Sequence, residues 1–316
     1  MFTMLSTTLL ANTSSNMLFI WLMMELNTLT FIPIIMGAHN ITGTETSIKY
    51  LIPQTLSSSL FLTSSFLAYA KIQVSPLTSI ALLLKLGGAP LHMWFPQVMH
   101  SINMTAGLLL LTWQKIMPLL LLTNPQLSYP PIVITSAMMS ALWGSIAGLN
   151  QTNLLILMSF SSINHLGWLL MGSVLNLILT INYLGAYIMT VTTIMLLMKK
   201  HMTKTHSMIM TSMMTDKHDQ LIFTVSLLSI AGMPPMAMFA TKIPIITSIL
   251  LSTFKFTIMP LILSAAISMH FYLALTVTLM AIQKTTSQQP TTKTFYMKPT
   301  YMLLIMIQLL WLPITW

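Results

Sequence analysis

The sequence predicts an all-α polytopic membrane protein, and three properties of its 316 residues support this class. Hydrophobic residues make up 55% of the chain and charged residues only 5%, whereas a soluble domain carries about 25% charged residues. The mean hydropathy is +0.82. Apolar stretches long enough to cross a bilayer recur along the whole chain. Because so few polar residues could not cover a soluble core, we interpret 1–316 as a single transmembrane domain.

Ten segments have the length and composition of membrane spans, since a helix needs about 20 apolar residues to cross about 30 Å of hydrocarbon. The apolar segment from Phe2 to Leu10 is short, and if it also crosses, the expected number is about eleven. The start of the chain has no basic region and no cleavage site, so we expect no removable signal peptide. The ten segments lie near 16–37, 50–70, 76–100, 104–123, 129–149, 151–172, 174–198, 219–252, 256–281 and 296–315.

The loop lysines are distributed unevenly between the two sides of the membrane. If the first segment crosses, eight lie on the side of the N-terminus and two on the other. The positive-inside rule then places the N-terminus toward the cytoplasm or the mitochondrial matrix. The eight are Lys49, Lys199, Lys200, Lys204, Lys217, Lys284, Lys293 and Lys298, and the two are Lys71 and Lys255.

The segment from Asp219 to Ser252 is too long for one continuous span. Its 34 residues would form a helix of about 51 Å, far more than the bilayer needs. Gly232, Pro234 and Pro235 lie inside it, so we predict a discontinuous helix. A simple proline kink is the alternative.

A second discontinuous helix is predicted over 76–100, where Gly87 and Pro90 closely follow Lys85. Each predicted break is paired with one lysine, because Lys242 follows the other break. Lys85 precedes its break and Lys242 follows its own. This opposite order favours inverted repeats, which transporters use to build a site at mid-membrane from interrupted helices.

Four ionisable residues fall inside predicted spans: Glu25, Lys85, Lys115 and Lys242. Each costs about 2.5 to 3.5 kcal/mol at the bilayer centre, so each must be paired, hydrated or neutral. Lys242 could instead extend its ammonium to the headgroups. Lys85 and Lys115 lie about 15 Å from either end of their spans, which is beyond the reach of a lysine side chain.

A buried set of lysines and a glutamate can exchange protons near neutral pH, as a proton relay requires. We hypothesise that Glu25 and Lys85 form an ion pair whose opening and closing shifts the proton affinity of Lys115. His92 and His165 also lie within spans and are candidate relay groups. A histidine that only bonds a helix carbonyl is the structural alternative for each.

Several functions are excluded or disfavoured by what the sequence lacks. Cysteine is absent, which removes thiolate metal sites and iron–sulfur ligation. No histidine pair stands at metal-binding spacing beside a carboxylate, and no nucleotide or nucleophile motif occurs. The basic residues are all lysine and do not cluster as in nucleic-acid binding. We expect no cofactor or metal on this chain and no nucleic-acid partner.

The residues resemble the NADH dehydrogenase subunit 2 family of mitochondrial respiratory complex I, which is akin to cation/proton antiporter subunits. Several long matches in the same order carry the resemblance along nearly the whole chain. They are WLMMELN around Glu25, TETSIKY at 44–50, KLGGAPLHMWFP at 85–96, TWQKIMP at 112–118, GLNQTNL at 148–154, SSINHLGW at 161–168 and GMPPMAMFATK at 232–242.

This resemblance implies an eleven-helix, animal-type form with two antiporter-like inverted repeats and two discontinuous helices. The family's charged axis at mid-membrane matches Glu25, Lys85, Lys115 and Lys242. The chain would carry no redox cofactor and would contribute to proton translocation that is coupled to electron transfer elsewhere in the complex. It would lie in the mitochondrial inner membrane, with the lysine-rich loops on the matrix side and the C-terminus on the intermembrane side.

The partners implied are other membrane-arm subunits of complex I and membrane phospholipids such as cardiolipin. Two other functions remain open at the level of sequence. A stand-alone cation/proton secondary transporter would also have broken helices and mid-membrane charges. A scaffold subunit could use its lysines only to pair with neighbouring subunits.

Overall fold

The computed structural model describes residues 2–37, 41–70, 74–206, 208, 217–234 and 236–286. Within these residues the chain is helical apart from turns and one isolated bridge between Asn153 and Thr205. The helices are α1 (Phe2–Thr13), α2 (Met17–Met36), α3 (Ile41–Tyr69), α4 (Ser75–Leu86), α5 (Trp94–Ser101), α6 (Met104–Leu111), α7 (Trp113–Leu122), α8 (Pro130–Gly148), α9 (Leu154–Leu175), α10 (Leu177–His201), α11 (Lys217–Ala231), α12 (Ala237–Leu251) and α13 (Ile258–Thr286), with a 3-10 turn at Lys255–Thr257.

Most of the predicted spans coincide with these helices. Among the described residues, six segments are long and apolar enough to cross a membrane: Met17–Met36, Met104–Leu122, Pro130–Gly148, Leu154–Leu175, Leu177–His201 and Lys255–Ala281. The predicted span at 296–315 lies outside the described residues. The first segment does form a helix, α1, but its 12 residues extend only about 18 Å, less than the hydrocarbon thickness.

Asparagine side chains start three of the long helices. The side-chain oxygens of Asn16, Asn153 and Asn176 accept hydrogen bonds from the backbone N–H two residues later, at 3.1, 3.1 and 3.2 Å. Each bond satisfies one of the donors that a helix leaves unpaired at its first turn. These caps fix where α2, α9 and α10 begin.

Both predicted interruptions are confirmed. The first separates α4 from α5 at residues 87–93, and the second separates α11 from α12 at residues 232–236. Pro235 itself lies outside the described residues. A further interruption, which the sequence did not predict, separates α6 from α7 at Thr112. The Thr112 hydroxyl donates to the carbonyl of Leu108 at 2.7 Å, a local bond that competes with regular helix geometry.

Helix α9 is the central column of the bundle. It packs against α5, α7, α8, α10, α12 and α13, and nearly all of its residues are buried. Its closest neighbour is α8, because a Cβ on Gly144 would lie 2.5 Å from the backbone nitrogen of Asn164. In the opposite direction, a Cβ on Gly167 would lie 2.7 Å from the carbonyl oxygen of Ala137. Glycine on both helices therefore allows backbone-to-backbone contact, as small residues do in membrane bundles.

A buried carboxylate joins the end of α10 to the start of α11. Asp219 accepts hydrogen bonds from Lys200 and from His201 Nε2, the latter at 2.8 Å. The Asp219 side chain is 2% exposed, whereas that of Lys200 is about half exposed. Sequence reasoning did not find this cluster. It anchors the first half of the interrupted helix against α10.

Replacing Gly144 or Gly167 with alanine is expected to separate α8 from α9, because the added methyl group meets backbone atoms that cannot move independently of their helix. We expect a loss of about 3 kcal/mol or more of stability, at the upper end for overpacking. Thermal unfolding of the detergent-solubilised protein measures this effect. Gly107→Ala is the matched control, since its Cβ would meet only side-chain atoms at 3.3 to 3.5 Å. Equal unfolding temperatures for all three variants would contradict the prediction.

Candidate functional site: buried lysines at the broken helices

Lys85 lies in the last turn of α4, directly before the first break. Gly87 adopts a left-handed conformation with φ of 71°. Its N–H bonds the carbonyl of Leu84 at 3.2 Å, and the N–H of Gly88 bonds the carbonyl of Leu83 at 2.9 Å. This pair of bonds is a Schellman motif, which ends helices at a residue that glycine occupies at least cost. The sequence Lys85-Leu-Gly-Gly thus stops the helix two residues after the lysine.

Side chains from outside α4 complete the hydrogen bonding of this helix end. Trp94 Nε1 donates to the carbonyl of Leu84 at 3.2 Å, and Gln54 Nε2 donates to the carbonyl of Lys85 at 3.4 Å. The C-terminal end of a helix carries a partial negative charge. Lys85 is therefore placed where the helix itself favours a cation, while its side chain is only 8% exposed.

At the second break, helix α11 ends in the same pattern of two hydrogen bonds at a left-handed glycine. Gly232 has φ of 81°, its N–H bonds the carbonyl of Ser229 at 3.1 Å, and the N–H of Met233 bonds the carbonyl of Leu228 at 3.3 Å. A Cβ on Gly232 would lie 2.8 Å from the Nζ of Lys242. The left-handed backbone favours glycine at this position, and a side chain here would also displace the Lys242 ammonium from where it lies.

Lys242 lies in the second turn of α12 and is 5% exposed. Its Nζ lies 5.4 Å from the centroid of the Trp168 ring on α9, within the range of a cation–π interaction. The predicted alternative, in which Lys242 extends toward the headgroups, is wrong, because protein encloses the side chain. The position of the helix break determines this outcome.

Lys115 is the third residue of α7, just after the interruption at Thr112, and is 3% exposed. Its Nζ donates to the backbone carbonyl of Ser162 on α9 at 3.0 Å. The same Nζ lies 5.5 Å from the ring centroid of Phe95 and 5.0 Å from that of Tyr187. A carbonyl oxygen and two π faces therefore surround the ammonium.

His165 lies on α9 between Ser162, which contacts Lys115, and Trp168, which contacts Lys242. Its Nδ1 lies 2.8 Å from the hydroxyl of Tyr183, and its ring centroid lies 5.5 Å from that of Tyr187, the ring that also contacts Lys115. Through α9 and Tyr187 the structure thus brings together three of the six predicted site residues.

One face of α9 aligns these three groups. Ser162 contacts Lys115, His165 follows three residues later, and Trp168 contacts Lys242 after three more. Residues three apart lie on one face of a helix and about 4.5 Å apart along its axis. Lys115 bonds the backbone carbonyl of Ser162, which any residue would supply, so only the spacing of His165 and Trp168 in SSINHLGW is a sequence signal for this row.

The predicted ion pair between Glu25 and Lys85 is not closed in this structure. Among the described residues no acidic atom lies within 4.0 Å of Lys85 Nζ, and neither this atom nor Glu25 Oε2 has a hydrogen-bond partner, although both are buried. Glu25 is half-buried on α2.

His92 lies in the turn that interrupts the first broken helix. Its Nδ1 is 3.3 Å from the carbonyl of Pro90, and its ring meets that of Trp143 edge-on at 5.8 Å. In the part of the chain that the structure describes, these contacts do not include a lysine of the site. His92 is therefore separate from the row on α9, although it is buried.

Lys85 and Lys115 both line one small cavity. Asn27 and Gln114 line the same cavity and share a hydrogen bond of 2.9 Å from Asn27 Nδ2 to Gln114 Oε1. Neither amide was predicted from the sequence as part of the site. No group of three or more His, Asp or Glu side chains able to hold a metal ion is present in the described ranges.

The fold and the site define a class: a polytopic helical membrane protein in which interrupted helices hold buried lysines, as in antiporter subunits. The family "NADH:quinone oxidoreductase/Mrp antiporter, TM" matches residues 73–268. The chain is 36% identical over 292 residues to NADH-ubiquinone oxidoreductase chain 2 of Varanus baritji, covering 87% of this chain and 84% of the relative. The corresponding chain of Lumbricus terrestris is 35% identical over 297 residues, covering 89% of this chain and 86% of the relative.

The chain therefore belongs to the NADH:quinone oxidoreductase/Mrp antiporter family, and within it to the NADH-ubiquinone oxidoreductase chain 2 family. This confirms the resemblance found in the sequence. The fold is similar to that of a chain of respiratory complex I from Thermus thermophilus, with a TM-score of 0.81, 20% identity and coverage of 98% of this chain and 75% of the other. A chain of the Mrp complex from Dietzia gives 0.73 at 15% identity, covering 88% and 58%.

Gly232→Ala is expected to displace the ammonium of Lys242 from the Trp168 ring, because a methyl group at 2.8 Å from Nζ occupies its position. The left-handed backbone adds about 1 kcal/mol of strain. A structure of the variant, together with its thermal unfolding, measures both effects. Gly88→Ala is the control at the other break, since its Cβ would make ordinary contacts at 3.4 to 3.6 Å. An unmoved Lys242 would show that the glycine is not needed for its position.

Proposed function

We propose that the chain is an antiporter-like, proton-conducting subunit of the membrane arm of NADH:ubiquinone oxidoreductase. It contributes to proton translocation driven by electron transfer elsewhere in the complex and carries no redox cofactor itself. The observation that carries this proposal is the row of Lys115, His165 and Lys242 along α9. Each group is buried, and each can bind and release a proton. Family membership supports the same assembly.

The proton path in this proposal runs along the buried groups. Lys85 and Lys115 line one cavity, and His165 lies on α9 between the residues that contact Lys115 and Lys242. Glu25 belongs to the same proposed set and pairs with Lys85 when the two side chains close. His92 remains a candidate relay group in the turn at the first break.

The remaining features of the proposal follow the sequence and the family. We place the chain in the mitochondrial inner membrane as one domain of about eleven helices in inverted repeats. The N-terminus and the lysine-rich loops face the matrix, and the C-terminus faces the intermembrane space. Other membrane-arm subunits and phospholipids such as cardiolipin are the proposed partners, and nucleic acid is not.

A stand-alone cation/proton transporter would use similar broken helices. The relatives named above are chains of NADH-ubiquinone oxidoreductase, and they favour the respiratory assembly over this alternative. Copurification separates the two functions, because a free subunit with transport activity would support the transporter.

Replacing Lys115 with methionine is expected to abolish most proton pumping while the complex still assembles, since the side chain keeps its volume and loses its proton. Proton uptake per NADH oxidised in proteoliposomes measures the effect. Lys255→Met is the matched control, because Lys255 is an exposed lysine of the 3-10 turn. Unchanged pumping in the Lys115 variant would leave the lysine with a purely structural role and would overturn the proposal.

Replacing His165 with asparagine tests whether this residue relays protons or only holds Tyr183. Asparagine can keep a hydrogen bond to the tyrosine hydroxyl, but it cannot carry a proton near neutral pH. A relay therefore predicts a loss of pumping with normal assembly. If the asparagine variant pumps normally and a leucine variant fails to assemble, the histidine is structural.

A further inference from the structure

A groove opens on the outer surface of the bundle where α3 passes the first helix break. Its volume is about 460 Å³, within the range of about 300 to 1,000 Å³ for pockets that bind small molecules. The lining residues come from α3, from the last turn of α4, from the turn that follows it and from α5. Lys85 and Lys115 line a different cavity, so the proposed proton path does not use this groove.

The part of the groove nearest the break is apolar and exposed. Ile52 and Leu56 on α3 are 54% and 55% exposed, and Leu91 and Met93 in the turn after α4 are 40% and 57% exposed. All four line the groove. The turn replaces a stretch of helix whose side chains would fill this space, and it leaves a recess beside α3. An apolar recess at membrane depth accommodates an alkyl chain.

The other end of the groove is charged. Of the lining residues that the structure describes, Lys49 alone carries a charge, and its Nζ lies 4.0 Å from Oε2 of Glu45. The two side chains are 49% and 63% exposed, and an ion pair this exposed is weak. Both groups can therefore bind a ligand in addition to each other.

The two charges lie at different depths. Lys49 precedes by five residues Gln54, which bonds the carbonyl of Lys85 at the break. It is therefore about 7.5 Å nearer the start of α3, and Glu45 lies about one turn farther out. From the break outward, a ligand in the groove meets apolar side chains first, then a positive charge and then a negative charge.

This order of groups matches a phospholipid with an ethanolamine headgroup. Its phosphate, next to the acyl chains, accepts a charge-assisted hydrogen bond from Lys49. Its ammonium group, one short linker farther out, donates to the carboxylate of Glu45. A phosphatidylglycerol or cardiolipin headgroup would place only negative charge beside Glu45. A choline headgroup has no N–H group to donate.

We propose that this groove binds one ethanolamine phospholipid, with an acyl chain in the recess beside the first break and its headgroup on Lys49 and Glu45. The inference rests on the part of the proposed function that places the chain in a phospholipid bilayer, and it does not depend on proton conduction. Trp94 lines the same groove and donates to the carbonyl of Leu84. The acyl chain therefore packs against a side chain that completes the end of α4.

The lipid can be sought directly in the assembled complex. A cryo-EM map that resolves lipids should show an acyl chain in the recess and a phosphate oxygen within about 3.2 Å of Lys49 Nζ. A protein helix in the groove would overturn the proposal, and so would an empty groove beside lipids that are resolved elsewhere. This measurement needs no variant, so it decides the case even where a substitution prevents folding.

Headgroup variants test the chemistry. The complex is stripped of lipid, supplied with synthetic ethanolamine or choline phospholipid, and its bound lipid is counted by mass spectrometry. We expect Lys49→Met to lose a single ethanolamine phospholipid per complex and Lys49→Arg to keep it. Glu45→Gln should bind both lipids equally at this site, because the carboxylate that selects the ammonium N–H is gone. Lys255→Met is the control, since Lys255 is exposed in the 3-10 turn, away from the groove.

A variant of the recess tests the acyl chain separately from the headgroup. Ile52→Trp places a larger side chain in the groove while both charges remain, and we expect it to lose the same lipid. Leu67→Trp is the matched control, because Leu67 is also exposed on α3 but lies outside the groove. Lipid retained by Ile52→Trp at the level of the control would contradict an acyl chain in the recess.

The outcomes separate this inference from the proposed function. If Lys49→Met, Glu45→Gln and Ile52→Trp all keep the lipid and its headgroup preference, the inference fails, and proton pumping remains to be judged by Lys115→Met. If Lys115→Met pumps normally while the groove variants lose the lipid, the proton-conducting function fails and the lipid site stands.

Discussion

The constraint on which this structure depends is the burial of three ammonium groups at membrane depth. Each lysine would cost about 2.5 to 3.5 kcal/mol at the centre of a bilayer. In the described part of the chain, none of the three is paired with a carboxylate. Lys85 is placed at the negative end of a helix, Lys115 at a carbonyl and two aromatic faces, and Lys242 at an indole face. Such neutral groups stabilise a cation less than an ion pair does, which is the property that the proposed proton-conducting function requires of these lysines.

The site combines two closely packed helices, α8 and α9, with the two helix breaks. Helix α9 sets the spacing of Ser162, His165 and Trp168, and it packs backbone to backbone against α8 through Gly144 and Gly167. The two breaks, by contrast, end helices at left-handed glycines and so bring a helix terminus and a lysine to the same depth. Irregular backbone in a membrane is tolerated only against protein or water. The breaks meet this condition because Trp94 and Gln54 bond the exposed carbonyls of the first one.

Features encoded by local sequence could be predicted, and features that depend on helix rotation could not. Glycine and proline mark the breaks at 87–93 and 232–236 because their backbone preferences are local. The break at Thr112 was missed, since threonine is not a helix breaker and acts there only through its bond to Leu108. Whether Glu25 and Lys85 are in contact in a given structure could not be predicted for a different reason: two residues at equal depth meet only if their helices turn the right faces toward each other. The packing of the whole bundle decides that rotation.

The surroundings of Lys115 differ on its two sides, and this difference bears on how protons move. Toward Lys85, both lysines line one small cavity together with Asn27 and Gln114. Toward Lys242 the contacts are Tyr187, His165 and Trp168. In the proposed path the imidazole of His165 accepts and releases the proton on this second side. Because its Nδ1 is bonded to the hydroxyl of Tyr183, that path requires this hydrogen bond to reorganise in each cycle.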